Sequence, residues 1–474
     1  HMRADLFWGF KPYTRPDEMA KALLPYIVRL APEKDALELE WFDKGDNGSH
    51  ILKWRERGTE TWKEQPAATS VLRIEGLLYE HEYEVTISRE DGTCGNVRLV
   101  MTGGAPANGV TVNYLHPEDT QYAFSGRFLC SPSIVKLPSG ALLASMDLFE
   151  GHGCQNLELI FRSDDRGKTW RYLTDIFPCF WGKLFMHNGR LFLMGCATEN
   201  GDVVIGASDD EGETWGAPTH LFRGSGMSIH NGWQFCPSPV IIHQGRIWIA
   251  ADFGSWEERG GFTNCLMSAP ADSDLLDPKN WVCSDFSQDQ YDADWVKKGA
   301  PKRSNPKGML EASPVVAKDG GIVCVIRIGL VGCQPEYGVG VLLRGDPDNP
   351  EKPLTVERFV EMPSGSNSRS HVVYDEKSKQ YIAAGNICVN PQTPGQRNVL
   401  ALEASPDLIH WRVLKILIDH RDEDPKDVGF QYPTFIIDGD DILLVSRTAL
   451  HGADNFHNAN MTTFHVIENF RGLL

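Results

Sequence analysis

The most constraining feature of the sequence is an octet that occurs twice. Residues 163–170 read SDDRGKTW and residues 208–215 read SDDEGETW, and a degenerate copy at 405–411 (SPDLIHW) keeps the serine, the aspartate and the tryptophan. The pattern predicts a β-hairpin corner, in which Asp accepts backbone N–H bonds, Gly takes a positive-φ position and Trp packs beside the returning strand. Recurrence at this spacing is typical of radial β-architectures.

Six further hairpin patterns support the same interpretation. Each consists of an apolar run, a tight turn and a second apolar run. They begin near Ser131, Trp181, Pro237, Ala312, Ser370 and Tyr432. The sequence therefore predicts an all-β fold with a six-bladed β-propeller over residues 104–474, in which each hairpin supplies the two inner strands of a blade.

Short alternating strands before the propeller predict a small β-sandwich over residues 1–103. Leu77 is followed six residues later by Tyr83, which resembles the tyrosine corner of fibronectin type III domains. The glycine-rich stretch 103–109 is the expected linker. We interpret the sandwich as a packing domain, with carbohydrate binding as the alternative.

Composition excludes several function classes. The net charge of −18 disfavours binding to nucleic acid or to anionic membranes, and no apolar run is long enough to predict a membrane span. Eleven scattered cysteines without paired spacing favour free thiols in a cytoplasmic protein; a secreted protein whose signal peptide has been removed is the alternative. No C-x-x-C or H-E-x-x-H spacing occurs, so we expect neither a metal nor a cofactor.

Strand ends predict the place of the functional site. In an antiparallel hairpin, the first residue of one strand and the last residue of its partner lie at the same end, so one rim of the propeller collects both sets. The starting set is Cys130, Trp181, Cys236, Glu311, Arg369 and Tyr432. The returning set is Asp147, Asp252, Arg327, Asn386 and Arg447. Convergent polar groups around a central funnel are typical of a ligand site.

The octet S-x-D-x-G-x-T-W resembles the Asp-box of the sialidase superfamily, whose members are six-bladed propellers with an exo-glycosidase site at the centre. The whole pattern resembles bacterial sialidase-like proteins with an N-terminal sandwich. In that superfamily the box lies away from the substrate. The resemblance therefore implies that Trp170 and Trp215 serve stability, so that replacing a buried one by Ala costs about 3–5 kcal/mol.

The resemblance also implies residue roles at the rim. Tyr432 resembles the catalytic tyrosine, which becomes nucleophilic when its partner Glu311 takes its proton. Arg327 and Arg369 resemble arginines that bind the substrate carboxylate, and Arg447 extends this clamp. Substrate contacts are also expected from Trp181, Trp233 and Gln431.

Two departures from the superfamily pattern limit the analogy. Cys130 stands where the first arginine is expected, and the loop 150–156 lacks the expected acid/base aspartate, so Asp147 or His152 is the predicted proton donor. We predict an exo-acting glycoside hydrolase, other than a simple neuraminidase, that removes a terminal acidic sugar from a glycan or oligosaccharide. The alternatives are a polysaccharide lyase that uses the same arginines on a uronate, and a non-catalytic glycan-binding propeller.

Overall fold

The computed structural model describes residues 23–150, 152–226, 230–255, 261–287, 293–301 and 309–474. These residues form 33 β-strands, with 3₁₀ turns at Pro278–Asn280, Ala293–Lys298 and Phe470–Leu473. Within these ranges, no helix has the length and apolar character needed to cross a membrane.

The first seven strands form two antiparallel sheets. One sheet has the order β1-β2-β5 and the other has the order β4-β3-β6-β7. The strands are β1 (Tyr26–Pro32), β2 (Ala36–Phe42), β3 (His50–Glu56), β4 (Lys63–Pro66), β5 (Val71–Glu75), β6 (Glu82–Arg89) and β7 (Arg98–Met101). The Tyr83 hydroxyl accepts a 2.9 Å hydrogen bond from the backbone N–H of Leu78, as in a tyrosine corner. The fibronectin type III assignment itself stays a prediction.

Six sheets of consecutive antiparallel strands follow, and they confirm the predicted all-β propeller fold. Blade 1 contains β9 (Phe128–Leu129), β10 (Ser133–Lys136), β11 (Leu142–Phe149), β12 (Glu158–Ser163) and β13 (Arg171–Ile176). Blade 2 contains β14 (Phe180–His187), β15 (Arg190–Cys196), β16 (Val203–Ser208) and β17 (Thr219–Phe222). Blade 3 contains β18 (Gly232–Gln234), β19 (Ile241–His243), β20 (Arg246–Ser255), β21 (Gly261–Pro270) and β22 (Val282–Cys283).

The remaining three blades have four strands each. Blade 4 contains β23 (Met309–Val316), β24 (Ile322–Ile328), β25 (Val339–Gly345) and β26 (Thr355–Glu361). Blade 5 contains β27 (His371–Asp375), β28 (Gln380–Asn386), β29 (Val399–Ser405) and β30 (Arg412–Asp419). Blade 6 contains β31 (Gly429–Asp438), β32 (Asp441–Ala449), β33 (Met461–Ile467) and β8 (Val110–Tyr114).

Blade 6 closes the ring with a strand from the other end of the chain. Strand β8 precedes blade 1 in sequence, yet it pairs antiparallel with β33, so that Asn113 lies opposite Thr462. Strand β10 of blade 1 also packs against β14 of blade 2 and β31 of blade 6. The predicted domain boundary after residue 103 lies between β7 and β8.

The sandwich is fastened to this closing strand. The buried Arg29 guanidinium donates from Nε to the carbonyl of Val112 at 2.7 Å and from Nη1 to Glu38 at 2.7 Å. Strand β1 packs directly on β8. Because these contacts join the sandwich to blade 6, the two parts share a continuous apolar core.

The octets form the predicted corners between β12 and β13 in blade 1 and between β16 and β17 in blade 2. In the first copy, the Ser163 hydroxyl accepts from the N–H of Gly167 at 2.8 Å, and Asp165 accepts from the N–H of Thr169 at 2.9 Å. Gly167 has φ +86°, and the preceding Arg166 is also left-handed at φ +64°, which the pattern did not predict. This turn lies at the end of the blade opposite the rim, because successive antiparallel connections alternate ends.

Candidate functional site

A cavity of about 270 Å³ opens at the rim where the predicted strand ends meet. Its walls come from blades 1, 2, 3, 4 and 6 and from their connecting loops. The lining residues are Cys130, Ser131, Phe149, Glu150, Gln155, Phe180, Trp181, Glu199, Gln234, Glu311, Tyr432, Arg447 and His457. The cavity therefore combines an aromatic wall with charged groups, as ligand sites do.

Tyr432, Glu311 and Arg327 form a contiguous hydrogen-bonded group in this cavity. The Tyr432 hydroxyl donates to Glu311 Oε1 at 2.9 Å. Arg327 Nε donates to the other oxygen, Oε2, at 2.6 Å. Although 121 residues separate the tyrosine from the glutamate, the structure brings them into direct contact.

The electrostatics of this group keep the glutamate charged and the tyrosine neutral. Burial raises the pKa of the Glu311 carboxyl, but the charge of Arg327 and the hydrogen bonds from Arg327 and Tyr432 outweigh it and hold the pKa below its ordinary value. Burial, together with the negative charge of Glu311, raises the pKa of Tyr432. The resting site is thus a phenol that donates to a carboxylate, which is the arrangement of a nucleophile and its base.

The backbone presents three cavity residues in the same unusual conformation. Trp181, Glu311 and Tyr432 have φ values of +56°, +66° and +51°. Each lies at a bulge in the first strand of an even-numbered blade. A left-handed conformation costs a non-glycine residue about 1–3 kcal/mol, and such residues cluster at functional sites.

Polar side chains of the preceding odd-numbered blades hold these bulges. Asp147, on β11 of blade 1, accepts from the N–H of Trp181 at 2.9 Å. Asp252, on β20 of blade 3, accepts from the N–H of Glu311 at 2.7 Å. Asn386, at the end of β28, donates to the carbonyl of Phe430, two residues before Tyr432, at 2.7 Å. The blades therefore work in pairs, 1 with 2, 3 with 4 and 5 with 6.

Arg447 lies in the cavity between two aromatic rings. Its Cζ is 4.3 Å from the ring centroid of Phe149 and 5.1 Å from that of Tyr432. Its Nη1 donates to Cys130 Sγ at 3.3 Å, so a guanidinium from blade 6 meets the cysteine that replaces the expected arginine. Its Nη2 donates to the carbonyl of His457.

Arg397 is a third arginine beside Tyr432 that the strand-end rule missed. Its Cζ is 5.8 Å from the Tyr432 ring centroid, and its Nη2 donates to the carbonyl of Asn367 at 3.0 Å. Arg397 lies in the loop before β29 and not at the end of an inner strand, so only contact with Tyr432 reveals it. The buried Gln431 accepts from Arg397 and donates to the carbonyl of Phe456. Gln431 does not line the cavity and holds Arg397 in place, in contrast to its predicted substrate contact.

Arg369 does not line the cavity, and its role in the carboxylate clamp stays a prediction. The side chain is fully buried and absent from the cavity lining. Its Nη2 donates to the carbonyl of Pro237 at 2.6 Å, and its Nη1 donates to Thr434 Oγ1 at 3.2 Å. Arg369 therefore ties the inner strands of blades 3, 5 and 6 together.

Of the two tryptophans that were predicted to contact the substrate, one lines the cavity and the other does not. Trp181 lines the cavity with its ring centroid 4.3 Å from that of Phe180. Trp233 lies outside the cavity lining and packs against Phe253 at 5.0 Å, while its Nε1 donates to the carbonyl of Arg223 at 2.9 Å. Trp181 can stack on a sugar ring, whereas the Trp233 ring packs among phenylalanines and its substrate contact stays a prediction.

Neither predicted proton donor lines the cavity. Asp147 is fully buried behind Trp181, and burial raises its pKa to about 7. His152 is exposed on the loop outside the lining residues. Glu150 and Glu199, which sequence analysis did not single out, do line the cavity.

His457 also lines the cavity, but it is a poor acid. Burial, followed by the charges of Arg447 and Arg397, lowers the pKa of its imidazole to about 2. The ring is therefore neutral at ordinary pH, and its Nδ1 lies 3.2 Å from Asn458 Oδ1. A neutral imidazole can hydrogen-bond to a ligand without supplying a proton from a charged form.

No family model and no curated protein sequence matches this chain. Solved structures do share its fold. The α-L-arabinanase of Penicillium chrysogenum, solved with arabinobiose, has a TM-score of 0.50 and 16% identity, and the alignment covers 77% of this chain and 99% of the arabinanase.

A second fold relative is the α-L-arabinofuranosidase of Fusarium graminearum in complex with an iminosugar inhibitor, with a TM-score of 0.51, 13% identity, and coverage of 77% and 98%. The leech intramolecular trans-sialidase aligns over 94% of this chain and 92% of its own at 10% identity, with a TM-score of 0.47. At such identities the similarity to the two arabinan-related proteins establishes the propeller fold alone.

Proposed function

We propose that the protein is an exo-acting glycoside hydrolase that removes a terminal acidic sugar from a glycan. The observation that carries the proposal is the 2.9 Å hydrogen bond from Tyr432 to an ionised, buried Glu311 at the wall of the cavity. A phenol becomes a strong nucleophile only when a base accepts its proton, and Glu311 already accepts that hydrogen bond.

Charge around Tyr432 supports an acidic substrate. The guanidinium groups of Arg397 and Arg447 lie within 6 Å of the Tyr432 ring centroid. Arg327 binds Glu311, which in turn binds Tyr432. Among the described residues, the buried Nε atoms of Arg397 and Arg447 have no hydrogen-bond partner. Unfilled guanidinium donors near one carboxylate favour an anionic ligand, and a planar carboxylate fits the guanidinium fork.

The size of the cavity supports action on a chain end. Its volume of about 270 Å³ is below the roughly 300–1,000 Å³ of sites for drug-sized ligands, so it suits one sugar ring better than an internal stretch of polysaccharide. Trp181 and Phe180 supply an aromatic wall for the apolar face of that ring. The arabinanase that shares the fold was solved with a disaccharide.

A panel of 4-methylumbelliferyl glycosides tests the proposal. It should include N-acetylneuraminic acid, uronic acids and, as a neutral comparison, α-L-arabinofuranose. We expect fluorophore release from an acidic sugar, and we expect Tyr432→Phe to lower turnover by a factor of about 100 or more without lowering the melting temperature. Trp215→Phe, at the opposite end of blade 2, is the control and should retain full turnover.

The outcomes separate the competing functions. An unsaturated product detected by ultraviolet absorbance would instead identify a lyase. Tight retention of acidic oligosaccharides on the immobilised protein, without turnover of any panel member, would identify a binding propeller. Full activity of Tyr432→Phe would exclude the tyrosine nucleophile.

A further inference from the structure

Cleavage of a glycosidic bond needs a proton for the leaving oxygen. The geometry of the cavity limits the number of side chains that can donate this proton. The carboxylates that line the cavity are Glu150, Glu199 and Glu311. Glu311 is occupied by Tyr432 on one oxygen and by Arg327 on the other. The donor must therefore be sought in the two loops that carry Glu150 and Glu199.

We propose that Glu199 is the general acid and base of the reaction and that Gln155 positions it, an inference that rests on the proposed hydrolase function. Gln155 also lines the cavity, and its Nε2 donates to Glu199 Oε2. Its Oε1 accepts from the backbone N–H of Glu150 at 3.0 Å. Because the N–H of Glu150 can only donate, the amide of Gln155 has one orientation, with its NH₂ group toward Glu199.

The loop that carries Glu199 is braced on both sides. The hydroxyl of Thr198 donates to the carbonyl of Cys154 in the neighbouring blade, and the N–H of Gly201 donates to the carbonyl of Thr198 at 2.9 Å. Glu199 is half-buried. A catalytic acid works only when its carboxyl is held within hydrogen-bond reach of the reacting oxygen, and this loop supplies that restraint.

In the part of the chain that the structure describes, no hydrogen bond of this kind holds the side chain of Glu150. Glu150 is exposed, and Gln155 holds it through its backbone N–H. The two glutamates thus differ in the part of the residue that is fixed, which makes Glu150 the alternative donor against which the assignment is tested.

The proposed steps balance in protons and electron pairs. As Tyr432 passes its proton to Glu311, its oxygen bonds to the anomeric carbon, and the bond from that carbon to the leaving oxygen breaks. Glu199 gives its proton to that oxygen. Water then attacks the anomeric carbon and gives a proton to the Glu199 carboxylate, while the tyrosine oxygen leaves and recovers its proton from Glu311.

The test compares two aryl glycosides of whichever panel sugar the protein cleaves, one with 2,4-dinitrophenol and one with phenol as the leaving group. A dinitrophenolate leaves without a proton, so it does not need an acid. We expect Glu199→Gln to lower kcat/KM for the phenyl glycoside by a factor of about 10²–10⁴ and kcat/KM for the dinitrophenyl glycoside much less, because this quantity reports the bond-breaking step and not the later hydrolysis. Its pH profile on the dinitrophenyl substrate should also lose the alkaline limb.

Matched variants decide the assignment. Glu213→Gln, in the exposed octet at the end of blade 2 opposite the cavity, should retain both activities, and Gln155→Ala should show a weaker form of the Glu199→Gln pattern. Equal losses of Glu199→Gln on both substrates, no loss at all, or the leaving-group pattern in Glu150→Gln would overturn the assignment while leaving the hydrolase intact. A wild type that cleaves neither glycoside would overturn the hydrolase itself.

Discussion

Blades 1 and 2 share a hydrogen-bonding arrangement with blades 3 and 4. The residue that lies opposite the hydrogen-bonding aspartate differs between the two pairs. In both pairs an aspartate of the odd blade holds a left-handed residue of the even blade, Trp181 or Glu311. The cross-strand neighbour of the aspartate differs. Asp252 lies opposite Asn264, whose Nδ2 donates to it at 2.7 Å.

The corresponding neighbour of Asp147 is an acid. Asp147 lies opposite Glu158, and both side chains are fully buried. In the described part of the chain, Asp147 Oδ1 and Glu158 Oε1 have no hydrogen-bond partner. Burial, increased by the charge of Asp147, raises the pKa of Glu158 well above its ordinary value. Two adjacent buried carboxyls cannot both ionise, so this pair retains a proton at neutral pH.

This difference in the residue opposite the aspartate changes the charge and the hydrogen bonding of the group that holds each bulge. Both of the oxygens of Asp252 accept hydrogen bonds, and one of these fixes the backbone of the proposed base. The device in blades 1 and 2 presents an aromatic ring, for which a shared proton is harmless. The two pairs of blades therefore share the bulge and the aspartate that holds it, and they differ in the residue opposite that aspartate.

The largest expected effect on the kinetics distinguishes Glu311 from Trp181, the two cavity residues that the aspartates hold. Glu311→Gln should lower kcat by a factor of about 100 or more, because the amide cannot accept the proton of Tyr432. Trp181→Phe should mainly raise KM, since it changes a contact surface. Steady-state kinetics on the cleaved glycoside measures both, and a Glu311→Gln and Tyr432→Phe double variant should lose little more than either single one. A normal kcat in Glu311→Gln would break the contrast.

A smaller effect on kcat is expected from the aspartates that hold the bulges. Asp252→Asn should lower kcat by about 10–100-fold, because supporting groups of a reactive residue typically contribute that much. Asp147→Asn should leave kcat within a few-fold of the wild type. Exchange of the pair, as Asp252→Asn with Asn264→Asp, should restore part of the activity, and the absence of any rescue would argue against a positioning role.

The smallest effect concerns pH and stability. The folded state holds a proton on Asp147 and Glu158 that the unfolded chain, with ordinary carboxyl pKa values, releases above about pH 4. The pair therefore lowers the free energy of unfolding as pH rises from about 5 to 8, by at most about 1.4 kcal/mol per pH unit for one proton. Glu158→Gln should flatten this slope relative to the wild type in urea titrations at a series of pH values. An unchanged slope would mean that the pair does not share a proton.

The sequence predicted the fold because its signals are local. The octets and the hairpins consist of turn residues and alternating strands, which depend on nearby chemistry. The same strand-end rule located Glu311, Arg327 and Tyr432, because all three are tied to the ends of inner strands.

The strand-end rule does not distinguish odd-numbered from even-numbered blades, and it does not apply to residues in loops. Arg369 lies two residues before the first strand of blade 5, and its buried side chain donates to blades 3 and 6 instead of lining the cavity. Arg397, Gln155 and Glu199 lie in loops whose paths no periodicity encodes. Their positions follow from contacts between blades, which the order of residues in one strand does not reveal.

The pairing of β8 with β33 has a consequence for how the chain is made. A ribosome releases β8 early, but its partner emerges only after Met461–Ile467 has been translated. During that interval an unpaired strand edge is a template for aggregation. All strands of the sandwich are translated before β8, and in the folded chain Arg29 binds the carbonyls of Thr111 and Val112. We therefore expect the N-terminal sandwich to cover part of this edge until the ring closes, so that its removal should reduce the soluble yield.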